Sequence, residues 1–101
     1  MAINQKAMYR GAPGLAPYVV PATYSAVITN IVVANANSTA QNVTVNILSG
    51  GTTTPIIANG PVNGNDTLVL DIRQPLAAGD SIAVTGGSSL GVHVAGVEIT
   101  P

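Results

Sequence analysis

The sequence contains no cysteine, no phenylalanine and no tryptophan, and it has a single histidine. Without cysteine there is no disulfide framework, no thiolate metal site and no thiol nucleophile. Charge is scarce as well: Asp, Glu, Lys and Arg make up 7 % of the chain, against an average of about 25 %. At a formal net charge of -1 there is no broad basic surface, so nucleic acid is not an expected partner. No run approaches the roughly 18–20 apolar residues that a membrane helix requires, so no membrane contact is expected. Met1–Pro13 lacks an apolar h-region, and no signal peptide is expected there. Helical periodicity is missing throughout.

What remains is aliphatic and β-branched. The apolar fraction is 47 % with only three tyrosines, so the core must be built from Val, Ile, Leu and Ala. A chain of 101 residues makes one domain. Fully burying an aliphatic side chain contributes roughly 1.5–3 kcal/mol, whereas ordering a domain of this size costs on the order of 100 kcal/mol or more. Such a core is thin, and association with copies or partners is expected. The polar positions are mostly Asn, Thr, Ser and Gln. A surface of that kind suits contact with other proteins, because few ions need to be desolvated.

The longest apolar run is Tyr24–Asn37, within which Tyr24–Asn35 reads as a strand apolar on both parities. Val27, Ile31 and Val33 would line one face, and Ala26, Ile28, Val32 and Ala34 the other. Two apolar faces imply a central strand, or one covered by a partner. Around it, short strands are expected at Tyr18–Val20, Asn42–Leu48, Thr54–Ala58, Asp66–Ile72, Ser81–Thr85 and Gly91–Thr100. Asn42–Leu48 alternates cleanly, with Val43, Val45 and Ile47 inward. Ser49-Gly50-Gly51-Thr52 is a hairpin turn signal. In the last strand Val92 and Val94 share one parity, Val97 and Ile99 the other. A bulge near Ala95–Gly96 would keep Glu98 out of the core. The pattern predicts an all-β chain: a single sandwich of roughly seven or eight antiparallel strands with turns about every 8–12 residues. Jelly-roll and immunoglobulin-like Greek-key orders fit the strands equally.

Residues 1–13 (M-A-I-N-Q-K-A-M-Y-R-G-A-P) show no strand alternation and hold Lys6 and Arg10, two of the three basic residues. They read as an extended N-terminal arm on a sandwich domain spanning 14–101. Ile3, Met8 and Tyr9 are its apolar anchors for a neighbouring subunit, beside Lys6 and Arg10. Ile28 and Val32, from the even set of the long strand, are the sandwich domain's expected contacts with a partner subunit.

Catalytic chemistry finds little support. A Ser–His–Asp set could be named from Ser81 or Ser88, His93 and Asp80, but no nucleophile elbow surrounds either serine. On a strand His93 alternates with Val92 and Val94, which points it away from the core. The carboxylates stand singly, without D-x-D-x-D spacing, and a calcium loop at Asp66 is outweighed by a plain turn. Gly50-Gly51 and Gly86-Gly87 lack the lysine and helix of a phosphate loop. No catalytic, metal-binding or cofactor-binding residues are expected, and no cofactor.

Several segments resemble a group of small virion structural proteins of tailed bacteriophages. They are Y-R-G-A-P-G (Tyr9–Gly14), I-T-N-I-V-V-A-N (Ile28–Asn35), N-D-T-L-V-L-D (Asn65–Asp71) and L-A-A-G-D-S-I-A-V (Leu76–Val84). The resemblance implies a non-enzymatic β-sandwich on the virion. It would be a capsid decoration (cement) protein that binds the outside of a phage head and stabilises it, acting as a homo-oligomer. The partner would be the major capsid protein or another virion protein. The alternative is a neck, tail or fibre component, with a receptor- or carbohydrate-binding module among its forms.

Overall fold

β-branched runs separated by Gly, Pro and Asn turns become eight strands: β1 (Ile3–Gly11), β2 (Gly14–Val19), β3 (Ser25–Asn35), β4 (Gln41–Ser49), β5 (Thr52–Val62), β6 (Thr67–Leu76), β7 (Ser81–Gly86) and β8 (Leu90–Ile99). The computed structural model describes residues 2–101, without the side chains of residues 15–17. The strands form two four-stranded antiparallel sheets. Sheet A has the order β1-β8-β3-β6, and sheet B the order β2-β7-β4-β5. This is the sandwich expected from the alternation.

The pairings nest. β4 pairs with β5, β3 with β6, β2 with β7 and β1 with β8, as in one long hairpin folded over on itself. The additional pairs β3–β8 and β4–β7 join the hairpin's segments into sheets. That order is a jelly roll, which resolves the choice of topology. At the hairpin tip Gly50 and Gly51 have φ of 58° and 80°. Both left-handed conformations are what a two-residue hairpin turn demands and what glycine supplies without strain.

The core lies between the sheets and is aliphatic. β3 contributes Ala26, Ile28, Ile31 and Val33; β4 contributes Val43, Val45 and Ile47, as their alternation predicted. β7 adds Ile82 and Val84, and β8 adds Leu90, Val92 and Val94. At one end of the sandwich the buried amide of Asn35 donates to the carbonyls of Thr39 and Val62, each at 3.0 Å. Its Oδ1 accepts from the Asn37 amide, so this polar group is satisfied on both sides.

Two expectations about register are corrected. The long strand is not apolar on two faces throughout its length. Its pairing slips between Ile28 and Asn30, so Thr29 is an extra residue and the inward parity changes there. Ala26 and Ile28 point inward before the bulge, Ile31 and Val33 after it. The bulge expected in β8 is likewise absent, since β8 keeps its even residues inward from Leu90 to Glu98. The irregularity sits in both neighbours at the same level, at Thr29 in β3 and Met8 in β1. Gly96 supplies the reason. A Cβ on it would collide with the carbonyl oxygen of Val27, and the Met8 methyl would stand 3.0 Å away. With no side chain at 96, the neighbouring strands close over β8 and absorb the mismatch themselves.

Most of the segment read as an arm, residues 3–11, runs along β8 as an edge strand of sheet A. Met1 lies outside the described residues. Side chains from Ile3 to Ala7 are exposed, which hid the strand from any reading of alternation; the backbone ladder and buried Met8 hold it in place. The two chain ends meet there: Thr100 N–H donates to the Ala2 carbonyl, and Ala2 N–H to the Thr100 hydroxyl, both at 2.9 Å. β5 extends beyond the expected Thr54–Ala58, and its prolines 55 and 61 are tolerated because it is an edge strand.

Candidate interaction surface

The two outward faces of the sandwich differ in chemistry. Sheet B has no charged residue in any of its strands. Across β4 and β7 its outer face pairs Thr44 with Thr85, Asn46 with Ala83 and Leu48 with Ser81. Amides and hydroxyls dominate this face, but its Ser81 row also carries half-exposed Val19 and Leu48, and Ala83 is buried.

Sheet A is aliphatic outside as well as inside. Its strands align the outward row Gln5–Val97–Val27–Pro75 and, farther along, Arg10–His93–Val32–Val69. Between these rows lies Ala7–Ala95–Asn30–Asp71, and beyond the first is Ile3–Ile99–Ser25. Ile3 and Val69 are 63 % and 57 % exposed, while Val27, Val32, Val97 and Ile99 are partly covered by their neighbours. The charged groups on this face are Arg10 near the β1 edge and Asp71 and Arg73 on β6 at the opposite edge. Asn30 donates to the Asp71 carboxylate at 3.3 Å.

Where the two bulges flank β8, the face dips. An open depression of about 430 Å³ is lined by Gln5, Lys6, Ala7, Arg10, Thr29, Ala95, Gly96 and Val97. The small residues of β1 and β8 leave this space, and the Thr29 hydroxyl donates to the Ala95 carbonyl at 3.4 Å within it.

On the inner side of the same strands is a second polar cluster. Glu98 is 7 % exposed, and its Oε2 accepts from the Tyr18 hydroxyl at 2.6 Å. Lys6 Nζ approaches the two carboxylate oxygens at 3.2 and 3.3 Å and lies 6.0 Å from the Tyr18 ring centre. The cluster joins β1 and β8 of sheet A to β2 of sheet B across the sandwich edge. The Tyr18 hydrogen bond, assisted by Lys6, outweighs desolvation and holds the Glu98 carboxyl below its ordinary range. Burial, followed by the hydrogen bond to Glu98 and its charge, pushes the Tyr18 phenol upward. Sequence reasoning missed this cluster. The available signal was Glu98 sitting at an inward parity of β8.

The residues singled out from sequence therefore divide. Ile3 and Arg10 are exposed on sheet A, and Val32 lies on the same outer face. Ile28 has no exposed surface, because the Thr29 bulge puts it on the opposite face from Val32; it belongs to the core. Met8 is buried, Tyr9 packs against the core with its hydroxyl donating to the Ala12 carbonyl, and Lys6 turns to Glu98. His93 is exposed on the outer face of sheet A, as alternation predicted, whereas Ser81 lies on sheet B. Asp80 accepts from the Ala77 amide in its own turn, so the Ser81–His93–Asp80 set is not assembled. Asp66 accepts from the Thr67 amide. Among the described residues no three His, Asp or Glu side chains cluster to hold a metal ion.

Neither a described protein family nor a curated protein matches the chain. Among solved structures, it is similar to an exo-β-1,3-galactanase from Phanerochaete chrysosporium with galactose, at 18 % identity and a TM-score of 0.36. The alignment covers 98 % of this chain and 29 % of that enzyme.

Proposed function

We propose that this chain is a virion structural protein of a tailed bacteriophage, a decoration protein that seats on the outside of the head and stabilises it through protein–protein contacts. One observation carries the reading: the outward face of sheet A groups Val27, Val32, Val69, Val97 and Ile99, while that of sheet B is uncharged and mostly polar, with Val19 and Leu48 as its aliphatic exceptions. The aliphatic group gains from being covered. The phage context comes from the sequence resemblance.

Size is consistent with docking by this face. Four strands spaced about 4.8 Å apart and about 30 Å long offer roughly 600 Å² per partner, or about 1,200 Å² in total, at the lower bound of specific interfaces. One such contact is weak. Association of the chain with its own copies, together with repetition over a symmetric shell, makes many weak contacts persistent. The major capsid protein is the partner in this reading, and the function requires no reaction.

The test is attachment to heads that lack this protein, from the phage that encodes it. Val32→Asp and Val97→Asp should lose attachment with native-like spectra, whereas Asn46→Asp on sheet B should attach normally. Wild-type protein should be present at a shell-wide copy number. Undiminished attachment of both valine variants would overturn the reading, and the copy number of a single ring would move the protein to the neck or tail.

A further inference from the structure

We infer that the depression between the two bulges is an anchoring pocket for an acidic side chain presented by a partner protein, and that Arg10 holds its carboxylate. The inference rests on reading sheet A as the docking face and names what that face recognises.

No acid lines the depression, and Arg10 is its one cation without a counter-charge among the described residues. Lys6 and Arg10 are the ionisable residues lining it, and they are the two cations of the N-terminal segment in a chain of net charge -1. The Lys6 ammonium is engaged by Glu98 on the inner side of the sheet. Arg10 forms no ion pair or side-chain hydrogen bond with any described residue, and it stands opposite His93 in the β1–β8 register. Asp71, a carboxylate on this face, lies in the neighbouring row beyond Asn30 on the far side of β3, with Asn30 donating to it.

Covering this face would strand Arg10. Burying a guanidinium without a counter-charge is strongly unfavourable, so a purely apolar partner would be rejected here. A carboxylate removes that cost, because its two oxygens match the guanidinium fork. The Gln5 amide is a second donor at the same rim, also without a side-chain partner among the described residues. Ala7, Ala95 and Val97 provide apolar walls for what flanks the acid. The fitting occupant is a partner segment with Glu or Asp between aliphatic residues.

The experiment is an NMR titration of the full ¹⁵N-labelled chain with the synthetic peptide acetyl-Gly-Val-Glu-Val-Gly-amide. Its Gln counterpart and sodium acetate serve as parallel ligands. Shift changes should concentrate on Ala7, Arg10, Thr29, Ala95 and Gly96. Affinity should fall roughly tenfold or more for the Gln peptide and for Arg10→Gln, as expected for loss of a charge-assisted pair, with partial retention in Arg10→Lys. Changes that are absent, scattered over both sheets, equal in Arg10→Gln or reproduced by acetate alone would overturn the pocket. Head attachment separates the two proposals. If wild type attaches and Arg10→Gln attaches as well, the pocket falls and the docking face stands. If the peptide binds at the depression but wild type does not attach to heads, the pocket stands and the virion reading falls.

Discussion

Glu98 occupies a position where a lone carboxylate would cost several kcal/mol and a paired one is tolerated. Its hydrogen bond from Tyr18 is the larger support, with half-exposed Lys6 the smaller. Tyr18→Phe should therefore cost about 1.5–3 kcal/mol, the range for a hydrogen bond to a charged group. Lys6→Met should cost about 1 kcal/mol or less, and urea midpoints at neutral pH check both. The folded-state pKa of Glu98 is lowered from its ordinary 4.5, so folding favours the ionised form. That contribution is fully present above pH 4.5 and is lost as pH falls through the folded value. Tyr18 runs the other way. Its pKa is raised above 10.0, so its contribution is complete below pH 10 and declines above it. Stability against pH should drop on both limbs, and in Tyr18→Phe both drops should shrink. Gly96 is the other residue with no substitute. Gly96→Ala forces a methyl against the Val27 carbonyl and should cost about 2 kcal/mol or more by thermal melting.

Among the elements, β3 and β8 show why strands were legible and their registers were not. Alternation placed Val43, Val45 and Ile47 correctly, since β4 has one buried parity, and it placed Ile82 and Val84 correctly although Ala83 between them is buried too. In β3 the same rule met apolar residues on both parities, because one side faces the core and the other an aliphatic outer surface. Nothing in a string of β-branched residues marks Thr29 as the extra one. The outcome can be measured by substitution. Ile28→Thr buries a hydroxyl and removes packing, for a loss of about 2–4 kcal/mol. Val32→Thr, on the outer face, should stay within about 0.5 kcal/mol. Equal losses in denaturant titrations would contradict the bulge. β1 escaped detection for a different reason: it buries little between Ile3 and Ala7, and pairing by backbone alone leaves no trace in residue type. Arg10 and Val32 were legible as candidates from composition and parity, whereas the depression depends on two bulges that only the sheet reveals.

At the scale of the molecule, the nested pairing makes the final contacts distant in sequence. β1 and β8 pair across nearly the whole length of the chain, so a large loop-closure entropy opposes that ladder. Refolding should take milliseconds to seconds, slow for a chain of this size, and stopped-flow fluorescence from the tyrosines will follow it. The nesting has a further consequence at the β1–β8 seam. Ala2 and Thr100 hold each other by three hydrogen bonds, so cargo fused beyond either residue would set out from one corner of the sandwich. A peptide linker across that corner, with new ends cut at Gly50-Gly51, would turn the polypeptide into its own circular permutant. Its payload would then project from the β4–β5 turn in sheet B instead of the β1–β8 seam in sheet A, with both broad faces unchanged.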